Sequence, residues 1–269
     1  MTTTIATASA SARGDLGRAL LAEWTKFRTL RSTYWTLIVS VVVTVTLGAS
    51  LLGGILEEYD AMTMAEKARF DPASEGLWYH GLHLGQVTLA VLGVLVATGE
   101  YGTGTIRATL AAIPSRIRVL AAKMLGFGAL TVAIGAILAF VMFAVAQPML
   151  AGRGLDVPLT DPTALRGVGL AALATAGVAL LGLGAGLLIR HTAGAISTVL
   201  IVMLGIPVVA LFFPQGWSTV TRLLPADAGW AMFTPTDEAL SLGSATAVFF
   251  GHVFGLLAAG AVAFARRDT

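Results

Sequence analysis

The sequence predicts an all-α, polytopic membrane protein with six transmembrane helices, an N-terminal interfacial elbow helix and both termini cytoplasmic. Three observations lead there. First, Ser32–Leu56, Gly76–Gly99, Met124–Gly152, Gly167–Ile189, His191–Thr221 and Ala239–Ala265 each exceed twenty residues without an Asp, Glu, Lys or Arg. A hydrocarbon core about 30 Å thick needs roughly 20 apolar residues of helix. Second, hydrophobic residues make up 56% of the 269-residue chain and charged ones only 12%, about half the charged share of a soluble domain. Third, basic residues alternate between connectors as a six-span topology requires.

Taken in order, Met1–Ala12 is rich in Thr, Ala and Ser and lacks the apolar core of a cleaved signal. Residues 1–15 therefore read as a disordered cytoplasmic tail. Residues 16–31 follow as the elbow helix, in which Leu16, Leu20, Trp24, Phe27 and Leu30 fall at helical spacing on one face. Arg18, Lys26, Arg28 and Arg31 fill much of the rest, a pattern suited to the membrane interface. The plain reading is an anchor with flanking positive charge. The sharper one is a helix that packs on a cytoplasmic partner and carries force into the first span.

One transmembrane domain covers residues 16–265, with spans at about 34–56, 79–99, 119–148, 166–189, 194–213 and 244–265, and residues 266–269 form a short tail. Pro207 should kink the fifth span, because its ring removes a backbone donor. Gly182 and Gly186 form a G-x-x-x-G pair in the fourth. It serves either packing within one subunit or a dimer seam. The connector Pro214–Gly243, with Trp217, Trp230 and Phe233, is long for an outer loop.

Orientation follows from counting Lys and Arg in alternate connectors. Arg13, Arg18, Lys26, Arg28, Arg31, Arg107, Arg116, Arg118, Lys123, Arg190, Arg266 and Arg267 lie on one side. Only Lys67, Arg69, Arg153, Arg166 and Arg222 lie on the other, which also holds eleven of the fifteen acids. The first side is cytoplasmic. The basic residues flank the membrane, so the pI near 9.2 points to lipid headgroups and not to nucleic acid. With no cysteine there is no disulfide framework or thiol chemistry.

The connector Gly99–Lys123 carries the densest pattern. Glu100 sits at a helix C-terminus, a poor place for an anion. It calls for a cationic partner, either Arg107 or an elbow-helix Arg. Gly102 and Gly104 permit a sharp turn, and Thr105 can cap a short helix that puts Ile106, Leu110 and Ile113 on one face. Pro114 ends that helix, and Arg116, Arg118 and Lys123 mark re-entry into the membrane.

These residues carry a resemblance. An elbow pattern, a span, an outer loop and a span, then Glu-x-x-x-Gly-Thr-x-x-x-x-Leu-x-x-x-Pro-x-Arg with a later Lys, resembles the type-2 permeases of bacterial ATP-binding-cassette exporters. Glu100, Gly104, Thr105, Leu110, Pro114, Arg116 and Lys123 match position for position. The resemblance implies that this loop holds a coupling helix, with Ile106, Arg107 and Leu110 beside the matched residues. It also implies a partner ATPase subunit that binds ATP and Mg, pairing as a homodimer or as a heterodimer with a related permease, and a place in the bacterial plasma membrane. Trp24, Lys26, Phe27, Arg28 and Arg31 would belong to the elbow.

The chain itself reads as no enzyme and as carrying no cofactor. It has no G-x-x-x-x-G-K-[ST] loop to cradle a phosphate. Ser197 and Ser218 have no base placed beside them by sequence. His80 and His83 are two ligands without a third, a poor metal site, and His252 alone in the sixth span reads as a packed histidine. The uncharged spans argue against an ion-coupled carrier, which places charges at mid-membrane. The alternative of another class is a non-transporting scaffold or assembly factor.

Overall fold

The computed structural model describes residues 2–29, 31–70, 72, 79–113, 115–210, 212, 218–234 and 240–266, with side chains from residue 16 onward. The expected positions Leu30, Pro114, Trp217 and Arg267 lie outside the described residues. The helices are α1 (Thr2–Thr29), α2 (Arg31–Ala61), α3 (Met64–Lys67), α4 (His80–Gly102), α5 (Thr105–Ala112), α6 (Arg116–Ala151) and α7 (Pro162–Ile189). Then come α8 (Thr192–Leu200), a π turn (Ile201–Gly205), α9 (Ile206–Ala210), α10 (Ser218–Thr221), α11 (Pro225–Ala231) and α12 (Leu242–Arg266). No strand occurs among the described residues.

Six helices are long and apolar enough to cross a membrane: α2, α4, α6, α7, the continuous segment Thr192–Ala210, and α12. Each falls on a predicted span. Helix is the required form, since lipid offers no partners to a backbone N–H or C=O. The helices overrun the apolar stretches because an N–H···O ladder, once started, continues at little cost into the interface. α1 begins at Thr2 and so takes in the segment expected to be an unstructured tail. Alanine, the strongest helix former, recurs there at Ala6, Ala8, Ala10 and Ala12.

α4 and α7 form the centre, with 67% and 78% of their apolar windows buried, against 22% for α2 and 17% for Thr192–Ala210. The outer helices present Ile38, Val42, Ile201, Val208 and Phe254 outward, as a surface solvated by acyl chains should. Backbone contact sets the spacing at the centre. A Cβ on Gly182 would stand 1.9 Å from the Ala90 carbonyl oxygen, and one on Gly93 would stand 2.1 Å from the Ala179 oxygen. The G-x-x-x-G pair of α7 thus serves packing within the chain, with Gly186 against Val94 and Ala97 of α4.

The fifth span departs from α geometry where its proline dictates. Pro207 has no N–H and its ring crowds the carbonyl four residues back. The preceding turn widens to a π turn over Ile201–Gly205, and the Ile206 N–H bonds to Ile201 O. Proline here shifts the ladder by one residue.

At one end of the bundle Arg153 grips Asp60 through Nε at 2.9 Å and a second guanidinium N–H, tying the turn after α6 to α2. α3 beside it is closed by a capping box of Thr63 and Glu66. The opposite end gathers α1, the C-termini of α4, α7 and α12, α5 and the start of α6.

Candidate functional site

The face that α1 turns inward comprises Leu16, Ala19, Leu20, Glu23, Lys26 and Phe27, a helical stripe packed on α6. Phe27 meets Phe127 at 6.0 Å between ring centroids. Trp24, expected on the same apolar face as Phe27, is 51% exposed. At about 100° per residue, Trp24 lies a quarter-turn from the stripe's axis, and Glu23 occupies the inward position instead. Arg28 and Arg31 are exposed.

Glu23 is 3% exposed, which an acid survives only when paired. It closes a four-membered ionic square with Lys26, Glu100 at the end of α4, and Lys123 in the first turns of α6. Lys26 Nζ donates to Glu23 Oε1 at 2.6 Å and to Glu100 Oε1 at 2.6 Å. Lys123 Nζ donates to Glu23 Oε2 at 3.0 Å and to Glu100 Oε1 at 2.8 Å. The lysine also reaches the Val96 carbonyl at 3.5 Å, so its three N–H groups are all used. Two acids and two bases sum to zero, so this end carries a buried, neutral clasp joining three helices. Burial opposes the charge on Lys26, but its hydrogen bonds to Glu100 and Glu23 and their negative charges outweigh that and raise its pKa.

The expected partner of Glu100 is therefore corrected. It is Lys26 and Lys123, not Arg107 or an elbow arginine. Arg107 is exposed on α5, and Lys26 is the α1 cation that faces inward. Glu23 and the role of Lys123 escaped the sequence reading. The available signal was Glu23, three residues before Lys26 and the one acid in the otherwise basic segment 16–31.

α5 forms where the short amphipathic helix was expected. Its N-cap is Gly104 in the left-handed region at φ 69°, not Thr105. The chain reverses at the end of α4, and glycine takes that φ without penalty. Thr105 instead shares a hydrogen bond with Thr103, Oγ1 to Oγ1 at 2.9 Å. Ile113 ends the helix in an extended conformation, φ −131° and ψ 92°, as a residue preceding proline prefers. Ile106 is 5% exposed and belongs to the chain's own core, with Leu110 packed partly against it. The apolar face of α5 holds the loop onto the bundle. What α5 turns outward is Arg107, Ala108, Ala111 and Ala112.

Two arginines tie this end to α12. Arg116 donates to Phe264 O at 3.4 Å and Arg190 to Ala263 O at 3.0 Å. Arg190 adopts φ 59°, strained for a residue with a Cβ. Its guanidinium lies 5.0 Å from the Tyr101 ring centroid, an interaction that offsets the strain. His191 Nδ1 accepts from Gly194 N at 3.1 Å and caps α8, so α7 turns directly into the fifth span.

Elsewhere, a largely apolar groove of about 890 Å³ runs between α7, the fifth span and α12, bounded by Leu181, Met203, Leu224, Val248 and Leu256. His252 and Thr198 are polar points on it, with His252 Nδ1 2.9 Å from Val248 O of its own helix. His80 and His83 meet the Trp230 ring edge-on, at 5.4 and 5.2 Å between centroids. No protein-family model matches the chain, and no curated protein matches it.

Proposed function

We propose that this chain is the membrane-spanning permease subunit of an ATP-driven exporter, coupled through α5 to a separate ATPase subunit. One observation carries the reading. A short helix is clamped to the bundle end by its buried face, and the junction beside it is locked by the Glu23–Lys26–Glu100–Lys123 square. A connector that merely joins two spans needs neither. A load on the exposed face of α5 passes through Ile106 into the core and through Gly104 into the end of α4. The square then delivers it to α1 and α6 together, because no one of the three helices can tilt without breaking charged hydrogen bonds.

In this reading two permease copies, or one copy with a related permease, face two ATPases that bind ATP and Mg. The spans of both permeases form the path, in a bacterial plasma membrane with both chain termini on the ATPase side. The asymmetry of Lys and Arg between the two bundle ends supports that orientation. The apolar groove beside the fifth span suits a hydrophobic or amphipathic substrate. The deciding experiment expresses the chain with an ATP-binding-cassette ATPase subunit of the same organism and reconstitutes the pair. ATP-dependent export that persists after an uncoupler collapses the proton gradient supports the proposal. Export that follows the gradient without ATP, or failure of the two to co-purify, refutes it.

A further inference from the structure

The ionic square is not symmetric. Glu23 uses both carboxylate oxygens and Lys123 all three N–H groups, but Glu100 receives both of its bonds on Oε1. Its Oε2 is buried and has no hydrogen-bond partner among the described residues. Glu100 as a whole is 8% exposed, and a buried charged oxygen left unsatisfied is costly. Lys26 mirrors it: two of its three N–H groups are spent at 2.6 Å, and it is the one member reaching the surface, at 32% exposure. One unspent acceptor of negative charge therefore stands beside one unspent donor of positive charge.

The side chains of Glu100 and Lys26 both line one cavity of about 430 Å³, and Oε2 is buried behind its surface. Its wall is apolar at Phe27, Leu95 and Val96, and its rim carries the hydroxyls of Ser32, Thr103 and Thr105. It lies where α1 meets α2 and α4 ends, which is headgroup depth for a chain whose spans are α2 and α4. We infer that this cavity holds the headgroup of an aminophospholipid, its primary ammonium donating to Glu100 Oε2 and its phosphate accepting from Lys26 Nζ. The apolar wall takes the start of the acyl chains. A purely anionic lipid leaves Glu100 Oε2 unpaired, and a quaternary ammonium has no N–H to offer it. The bound lipid would complete the square and stiffen the α1–α4–α6 junction. The inference is independent of the transport reading, since it concerns lipid retention alone.

The test uses the full chain in nanodiscs containing equal parts phosphatidylethanolamine, phosphatidylcholine and phosphatidylglycerol, with retained lipid identified by native mass spectrometry. Phosphatidylethanolamine should be retained over phosphatidylcholine by roughly tenfold or more, the worth of one charge-assisted hydrogen bond. Glu100→Gln should abolish that preference. Gly99 lines the same cavity and a Cβ there meets nothing within 4 Å. Gly99→Phe should therefore fill the space, still unfold in one cooperative thermal transition and lose the lipid, which keeps the test sound if Glu100→Gln fails to fold. Equal retention of phosphatidylethanolamine and phosphatidylcholine overturns the inference, as does retention that survives Gly99→Phe. Displacement by soluble phosphoethanolamine at matching concentration overturns it too, because the site would then read a free zwitterion and not a lipid.

Discussion

Lys26 Nζ stands 2.6 Å from Glu100 Oε1, so a residue of the first helix is bonded to the last turns of the second span across 74 positions of sequence. Lys123 completes the same carboxylate from the third span at 2.8 Å. The end of the bundle that bears α5 is thus braced by charge, where the opposite end relies on an exposed Arg153–Asp60 pair.

Breaking the square from its buried side should be severe. Lys123 is 4% exposed at its side chain, and removing one partner of a buried pair costs about 3–5 kcal/mol. Lys123→Met should therefore lower the thermal midpoint in detergent far more than Lys26→Met. Adding Glu23→Gln to Lys123→Met should recover part of the loss by removing an orphaned charge. Equal losses for the two lysine variants would show that the square does not brace the junction.

The pH dependence of that brace has a definite sign. The folded-state pKa of Lys26 lies above its ordinary value of 10.5. Its contribution is fully present below that ordinary value and is lost as pH rises through the higher folded value. The gap in melting temperature between the wild type and Lys26→Met should stay constant from about pH 8 to about pH 10 and then narrow. A gap that closes below about pH 9 would assign the effect to another group.

On α5, buried and exposed positions should separate cleanly. Ile106→Asp puts a charge into the core and should destabilise the whole chain, forfeiting at least the roughly 1.5–3 kcal/mol of a buried aliphatic side chain. Ala108→Asp with Ala111→Asp should leave the melting temperature unchanged while releasing the ATPase in co-purification. Retention of the ATPase by that double variant would remove α5 as the docking element.

Gly182→Leu should be among the most damaging substitutions in the spans, since its first added atom meets a backbone carbonyl at 1.9 Å. Overpacking typically costs about 1–3 kcal/mol, and a backbone neighbour yields less than a side chain does. Gly251→Leu, on an open face of α12, is the control and should be tolerated. Comparable thermal shifts for the two would contradict the α4–α7 contact.

The topology predicts opposite labelling of two engineered sites. Ala12→Cys should react with an impermeant thiol reagent only after cells are opened. Met64→Cys, on 85%-exposed Met64 of α3, should react in intact cells. Labelling of the second site from inside would reverse the orientation and with it the assignment of α5 to the ATPase side.

The sequence by itself determined the number and order of the spans, because the bilayer imposes a length and composition test on each segment separately. It likewise determined the short helix after the second span, whose turn glycine and terminal proline act locally at Gly104 and Pro114. It also located the perturbed turn of the fifth span, since Pro207 disrupts its own helix whatever surrounds it. Tertiary structure decided the rest. Glu100 needs a cation by local electrostatics, but whether that cation is Arg107, Lys26 or Lys123 depends on which helix faces pack. Ile106 reads as apolar in either case, and only the packing of α5 makes it an anchor instead of a contact. Gly182 permits a close approach, while α4 alone supplies the backbone that uses it. Membrane insertion and turn chemistry act over a few residues at a time, whereas ion pairing and interhelical contact join residues that only the assembled bundle brings together.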